Sequence, residues 1–540
     1  AAHLARLPDI AGHAAELVKR FGGALSSEHG DGRTRGWLNE RFYGPELYAL
    51  FRQVKGIFDP RHRLNPGVIV DVGPMTDHLR RLPALPDAPR LDFGDYERDT
   101  PLPLPFAPRP TPEATAPGLI RAVEMCNGAG VCVRRGGGTM CPSFMVTRQE
   151  ADSTRGRANA LRAVMSGVLP AAELTGPRLY GVMDLCISCK ACRAECPSGV
   201  DMARLKLEFL ARYHEAHGVP LRSRLFAHAG ALNRLGGGWR APLARAALGS
   251  AWARRRLGIT TERPLPVPAR RSFAAWWRRE GAAAESDAPA LALLIDPFTD
   301  AIQPAVAVAA VAFLRAAGLG VRPVWADDGR PFLSKGLLAE ARRAAGRTVE
   351  ALWPAVAAGL PVVGLEPSSL LTLRDEFLYL LPSDERTAAL AAAARTFEEF
   401  VAERVATGEL AVRFDERPRR ILLHGHCHQK ALVGMGPARA ALGLLPGAVV
   451  EEVDAGCCGM AGSFGYEAEH YAVSMRMAER RLLPAVRAAA ADTIIVAAGM
   501  SCREQIAHGS GRVARHPAEV LAEALLNLTP GRNDAKARRD

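Results

Sequence analysis

Val453–Gly465 reads VDAGCCGMAGSFG, with Cys457 and Cys458 adjacent and followed by Gly459. Trp325–Gly336 reads WADDGRPFLSKG, and its Asp327-Asp328-Gly329 stands where Cys457-Cys458-Gly459 stands. The text around the two stretches runs in the same order. The first copy has an apolar run ending in IDPF, then DDG, LWPAV and PVVGLEPSS; the second has HGHC, CCG, LLPAV and TIIVAAGMSC. Phe298 to Asp327 is 29 positions and Cys427 to Cys457 is 30; Asp328 to Ser369 is 41 and Cys458 to Cys502 is 44. Such self-similarity marks an internal repeat. ALALLID and RRILLHG are short apolar runs of the kind found in buried parallel strands, and Ala-rich helical stretches follow each. The reading is therefore two tandem α/β domains built from βαβ units, over 289–410 and 411–530. Only the second keeps its thiols. Aspartates are hard oxygen ligands, poorly suited to iron–sulfur chemistry, and Phe298 and Ser369 offer no thiolate either, so the first repeat is expected to be a cluster-free platform.

Outward from the repeats, residues 216–288 form a basic helical connector with ARRRLG and RRSFAAWWRRE, either solvated arginines on amphipathic helices or a face for a membrane surface or partner. Residues 119–215 hold seven cysteines between short helical segments. Residues 73–118 contain 11 of the 39 prolines and read as an extended, semi-rigid linker. Residues 1–72 alternate helical patterns with Gly-rich turns. Leu47, Leu50, Phe51 and Val54 share one helical face, which Pro60 ends. The first 23 residues read as an amphipathic helix closed by Gly22-Gly23 rather than a signal peptide, and the chain is expected to begin inside a domain. A short tail, 531–540, completes the division.

A chain of 540 residues exceeds one core, and 48% hydrophobic with 23% charged residues is a globular composition. No apolar run reaches the roughly 18 residues of a membrane span. The net charge of +12 is concentrated over 221–280. It comes without any helix-turn-helix, zinc-finger or RNA-binding signature, so no nucleic-acid partner is expected. Eleven clustered cysteines argue against a disulfide framework and for metal in a reducing compartment. The expected location is cytoplasmic, with peripheral contact at the inner membrane an option.

CISCKACRAECP places Cys186, Cys189, Cys192 and Cys196-Pro197 at C-x2-C-x2-C-x3-C-P spacing, that of bacterial ferredoxin clusters. A structural zinc knuckle is the weaker alternative, since zinc sites usually pair two separated C-x2-C units. CNGAGVCVRRGGGTMCPS is the partner motif: Cys126, Cys132 and Cys141-Pro142 fit, but Ala129 replaces the second cysteine. In such pairs the fourth cysteine of each motif ligates the other cluster. Cys141 then joins Cys186, Cys189 and Cys192 in one complete [4Fe–4S] site. Cys196 joins Cys126 and Cys132 in a site one cysteine short, which would be three-iron, take a non-cysteine ligand, or draw on another residue. In the second repeat Cys427, Cys457, Cys458 and Cys502 each follow a strand and could hold zinc or an iron–sulfur cluster, and adjacent cysteines, awkward ligands for one ordinary cubane, favour an unusual cluster. His424, His426 and His428 beside Cys427 are read as supporting groups rather than ligands.

Residues 291–525 resemble the cysteine-rich CCG domains of heterodisulfide reductase and of the iron–sulfur subunits that serve glycolate, lactate and anaerobic glycerol-3-phosphate oxidation. Residues 119–215 resemble the dicluster ferredoxin module that precedes those domains. Two departures stand out: Cys502 is followed by Arg503-Glu504-Gln505, without a closing C-x2-C cysteine, and the first repeat has no cysteine. Residues 1–70, through GGALSSEHGDGRTR, YGPELYALFRQVKGIFDP and LNPG, resemble the C-terminal tail of the FAD-linked oxidases that act on D-2-hydroxy acids; Val68 stands where that family usually has Lys. The resemblance implies FAD, held mainly by an upstream domain. It implies Glu28 as a divalent-metal ligand, His29 as an active-site base, and Arg33 and Arg35 near the substrate carboxylate or flavin. The order of modules is similar to that of the large bacterial fusion D-2-hydroxyglutarate dehydrogenases.

The expectation is thus a multidomain α/β chain, the C-terminal portion of an FAD- and iron–sulfur-dependent dehydrogenase. A small D-2-hydroxy acid, D-2-hydroxyglutarate or D-lactate foremost, would give up a proton to a base and two electrons to FAD, and clusters would pass them on singly. The acceptor would be a quinone, an electron-transfer flavoprotein or a cytochrome. The rival readings are an electron-transfer protein without its own substrate site and a metal-dependent redox sensor.

Overall fold

The computed structural model describes residues 5–77, 85, 87–98, 118–281, 289–410 and 412–526, apart from the side chains of 97, 98 and 239. The run PLPLPFAPRPTPEATAP and the 531–540 tail lie outside the described residues. The chain divides into two compact units, Ala1–Leu82 and Pro83–Asp540.

In the first unit the helix Leu7–Arg20 forms as the amphipathic pattern requires, and Gly22, at φ +70°, takes the chain out of it. Pro45 opens the helix Pro45–Phe58. Asp59 follows that helix and accepts hydrogen bonds from the backbone of Arg63 (2.9 Å) and Leu64 (2.8 Å). The expected stripe on this helix forms, but Leu47, Leu50 and Val54 are exposed and Tyr48, on another face, is buried. The small core of the unit is Ala15, Leu38 and Phe42, and of the stripe Phe51 packs edge-on to Tyr43 at its margin.

The second unit holds two parallel sheets of identical topology. Strands β1 (Leu291–Ile295), β2 (Val321–Trp325), β3 (Val362–Gly364) and β4 (Ala394–Thr396) are ordered β2-β1-β3-β4. Strands β5 (Arg420–His424), β6 (Val449–Glu452), β7 (Ile494–Ala497) and β8 (Ala514–Arg515) are ordered β6-β5-β7-β8. The register repeats as well: Leu291 pairs with Val321 as Arg420 pairs with Val449. All five residues of β1 are buried, as expected of a central parallel strand covered on both faces. In this strand order the carboxyl ends of the first and third strands flank the topological switch point, where α/β folds open a crevice.

Two parts of the expected division change. Within the expected linker, the described residues 87–98 are docked rather than free. Leu91 and Phe93 are buried, the Leu91 amide donates to Glu208 (2.9 Å), and the Arg204 guanidinium lies 4.4 Å from the Phe93 ring centroid. LDFGDYE carries two large apolar side chains among its prolines' neighbours, enough to dock it. The connector is also stitched down: Phe273 and Trp277 enter the core of the repeats, and the Thr260 amide donates to the Tyr466 carbonyl (2.8 Å). No helix among the described residues is long and apolar enough to cross a membrane.

Candidate metal centres

Cys141, Cys186, Cys189 and Cys192 line one cavity of about 20 Å³. Local sequence explains the convergence. Cys186 follows the helix Pro177–Asp184, and the next turns need left-handed backbone at Ser188 (φ 49°) and Lys190 (φ 61°). The helix Ala191–Glu195 then carries Cys192, and Cys141 caps the helix that Pro142 opens. This is the set that the crossed ferredoxin spacing predicts, so the structure brings all four together.

The chemistry of the lining suits an anionic metal–thiolate group. Arg157 is fully buried; it reaches the Cys141 sulfur (Nη1, 3.5 Å) and donates to Ser143 Oγ (3.1 Å) and the Val182 carbonyl (2.9 Å). Burial works against its charge, but the sulfurs of Cys186 and Cys141 outweigh that and raise its pKa. Burial pushes the Cys189 and Cys192 thiols well above their ordinary value, so as free groups they would be neutral. Iron binding would deprotonate them.

Of the second expected set, the Cys132 sulfur accepts from the Arg155 amide (3.3 Å); the Arg155 guanidinium, whose pKa is raised chiefly by its hydrogen bond to Glu150, also lies near Cys132 and Cys126. Cys132 is buried, whereas Cys126 and Cys196 are half-buried. At the position of the missing cysteine, the Ala129 amide donates to Asn127 Oδ1 (3.0 Å).

The four cysteines of the second repeat also converge, at the carboxyl end of its sheet. Cys427 begins the helix after β5, Cys457 and Cys458 follow β6, and Cys502 lies in the first turn after β7. All four are buried. Their side chains interact in sequence, Cys427 with Cys457, Cys457 with Cys458, and Cys458 with Cys502. The Cys457 interaction pulls the Cys427 thiol down to about 6, while Cys457 and Cys502 are driven up. Gly459, at φ +87°, makes the turn possible; a Cβ there would stand 2.3 Å from the Ser474 carbonyl oxygen.

His424, read from the sequence as a supporting group, lies beside the thiols of this site. A donor atom of His424 lies within 4.8 Å of the sulfurs of both Cys458 and Cys502, and the ring interacts with the Cys458 side chain. Burial lowers its pKa and favours the neutral, ligand-competent ring. The signal that could have found it was the alternation of His424 and His426 at the end of an apolar strand. His426 plays the supporting part expected of it: it caps the helix, accepting from the His428 amide (3.2 Å). His428 reaches out of the repeat, its Nε2 3.0 Å from the Ser188 carbonyl in the loop between Cys186 and Cys189. Cys189 and Cys427 are near enough that each thiolate would raise the cost of the other's, so the two thiol sites adjoin.

Glu28, His29, Arg33 and Arg35 are all exposed in the first unit, on a turn and the short helix Gly32–Arg35. The His29 amide closes the turn onto the Ser26 carbonyl (3.1 Å), and Arg35 donates to the Gly30 carbonyl (3.2 Å).

Comparison with known proteins bears on these sites directly. Residues 1–69 match the family model "FAD linked oxidases, C-terminal domain", and residues 125–201 match "4Fe-4S dicluster domain". Flavin-linked and iron–sulfur modules are therefore both represented, as two of the resemblances implied. The chain is 28% identical to D-2-hydroxyglutarate dehydrogenase of Escherichia coli K12, over 94% of this chain and 52% of that protein. It is 25% identical to the Pantoea ananatis protein of the same name, over 96% and 53%. It is also 27% identical to the Pseudomonas putida protein of that name, over 94% and 52%. The chain spans about half the length of the dehydrogenases it matches.

Proposed function

We propose that this chain carries the electron relay and part of the flavin domain of an FAD- and iron–sulfur-dependent enzyme that oxidises a D-2-hydroxy acid, D-2-hydroxyglutarate or D-lactate. The observation that supports it most is the four-thiol cavity of Cys141, Cys186, Cys189 and Cys192 set against the thiols of the second repeat. Bound at these sites, iron–sulfur clusters would supply one-electron carriers, and FAD would supply the two-electron acceptor. The residues of the chain have separate tasks. His29 takes the hydroxyl proton, Glu28 holds a divalent cation that lowers that hydroxyl's pKa, and Arg33 and Arg35 pair with the substrate carboxylate or flavin. Cys141, Cys186, Cys189 and Cys192 hold one [4Fe–4S] cluster, and Cys126, Cys132 and Cys196 a second with one non-cysteine position. Cys427, Cys457, Cys458 and Cys502, with His424 beside them, hold a noncubane cluster or zinc. Arg157 balances the negative charge at the first of these sites. Electrons leave to a quinone, an electron-transfer flavoprotein or a cytochrome.

The test is to offer D-2-hydroxyglutarate, D-lactate and their L enantiomers to the flavin-loaded, full-length protein and follow flavin absorbance and cluster EPR. Reduction by a D acid and not its enantiomer is expected. No reduction by any of them would overturn the reading.

A specific surface supports peripheral membrane contact as the finer location. No acidic residue occurs between Glu215 and Glu262; Leu221 is exposed on a helix with exposed Arg224, and Leu243 and Trp252 are exposed on helices with exposed Arg245, Arg255 and Arg256. Sedimentation with vesicles of anionic phospholipid, but not with purely zwitterionic ones, is the expected behaviour; equal recovery in the supernatant would remove the proposal.

A further inference from the structure

The loop that holds three of the four cavity cysteines is pinned from outside its own module. Lys190 lies between Cys189 and Cys192 and lines the cavity, yet it is only 1% exposed. Its Nζ donates to Asp375 Oδ2 (2.5 Å) and Glu376 Oε2 (2.5 Å). Both carboxylates are buried, and both come from the first repeat, where the helix Pro367–Arg374 gives way to the helix Glu376–Leu380. Arg193, on the helix Ala191–Glu195 that follows, pairs with Asp375. Arg330, immediately after Asp327-Asp328-Gly329, pairs with Glu376. The Asp375 carboxyl is held below its ordinary range, since Lys190 and Arg193 outweigh the cost of its burial.

A loop that only needed a left-handed residue at 190 would be served at lower cost by glycine or asparagine. Burying a lysine instead is expensive unless it is paired, and removing one partner leaves an uncompensated charge in a low dielectric. That same low dielectric makes the Lys190 charge felt across the cavity it lines. We propose that Asp375 and Glu376 of the thiol-free repeat position Lys190, and that this ion set tunes the reduction potential of the cluster held by Cys141, Cys186, Cys189 and Cys192. The inference rests on the cluster assignment made above. Reduction adds an electron to the cavity. A neighbouring cation favours the reduced form, and the carboxylates moderate it.

The test is an EPR-monitored redox titration of the chain purified without oxygen. The signal of this cluster is identified as the one lost in Cys189→Ser. Neutralising either carboxylate with an isosteric change, Asp375→Asn or Glu376→Gln, leaves Lys190 under-compensated and should shift the midpoint positive. Lys190→Met should shift it negative, and Lys190→Arg should restore most of the wild-type value. A tenfold change in the ratio of reduced to oxidised cluster, about 59 mV for one electron, is the size expected in each direction. Shifts of opposite sign with iron retained carry the proposal. Unchanged midpoints overturn it. So does iron loss in all the variants alike, because that would show a purely structural brace. Absence of any cluster signal in the wild-type chain would instead sink the underlying assignment.

Discussion

The two α/β repeats share a backbone and differ in what they place at its carboxyl edge. Gly459 at φ +87° and Gly329 at φ +75° turn the chain at the same point of the two copies. Cys458 meets Cys502 in the second repeat; Asp328 meets Ser369 in the first. A carboxyl–hydroxyl pair stands in the first repeat where the second has a thiol pair, and the turn is the same. The entry to the site diverges further. Asp296 caps the helix after β1, its carboxylate accepting from the Phe298 amide (2.9 Å), where His426 caps the helix after β5. Counted from the caps, Pro297 rather than Phe298 stands where Cys427 stands. The second repeat therefore offers soft ligands to a metal, while the first offers carboxylates to cations of the cluster module. A duplicated fold can keep its scaffold and trade one site's ligands for another site's supports.

The largest effect that would break this contrast is in metal content. Cys458→Ser should abolish metal at the second-repeat site while leaving the iron of the cluster module, because Cys458 interacts with both Cys457 and Cys502. Asp327→Ala combined with Asp328→Ala should leave total iron unchanged. Metal quantitation on both proteins decides: a fall in iron in the aspartate variant would show that the first repeat holds metal after all.

How far the sequence revealed this depends on the range of the interaction. The repeat was legible because strand, glycine turn and helix recur at nearly fixed spacing, and the DDG-to-CCG alignment puts Ser369 opposite Cys502 as found. The cavity cysteines were legible because C-x2-C-x2-C-x3-C-P is a local ligand geometry. The ion set of Lys190 was not: its partners lie 185 and 186 positions away, and no period links them. His424 was legible only as a supporting group, since its nearness to Cys458 and Cys502 depends on loops from other strands. The docked Leu91 and Phe93 were hidden by surrounding prolines, which set local stiffness but not whether apolar neighbours find a surface.

A second, smaller effect tests whether the two turns are equally demanding. Both glycines need left-handed backbone, but a Cβ at 459 would lie 2.3 Å from a carbonyl oxygen, and one at 329 would lie 3.1 Å from the Ala344 side chain. Gly329→Ala should cost about 1 kcal/mol and Gly459→Ala about 3 kcal/mol, the low and high ends of backbone-strain costs. Thermal unfolding of the two variants, compared under identical metal loading, measures the difference. Equal losses would mean that the second-repeat turn relaxes freely and that its thiol geometry does not depend on Gly459.

The smallest effect concerns the carboxyl that replaced a thiol. Burial, assisted by the charge of Asp327, pushes Asp328 up to about 7, although the Ser369 hydroxyl and the Arg330 amide (2.7 Å) act in the opposite sense. In the unfolded chain an aspartate titrates near 3.9. Between about pH 4 and 7 the folded chain therefore holds a proton that the unfolded chain has released, and stability falls as pH rises through that window. Above pH 7 the full penalty of a buried charge applies. Asp328→Asn keeps an acceptor for the Arg330 amide and removes the titration. It should stabilise the protein at pH 8 by about 1 kcal/mol, roughly 2–4 °C in a domain of this size, and leave stability at pH 4 unchanged. A gain that is the same at both pH values would mean that Asp328 is already neutral across the range, and that the first repeat carries no charge where the second carries Cys458.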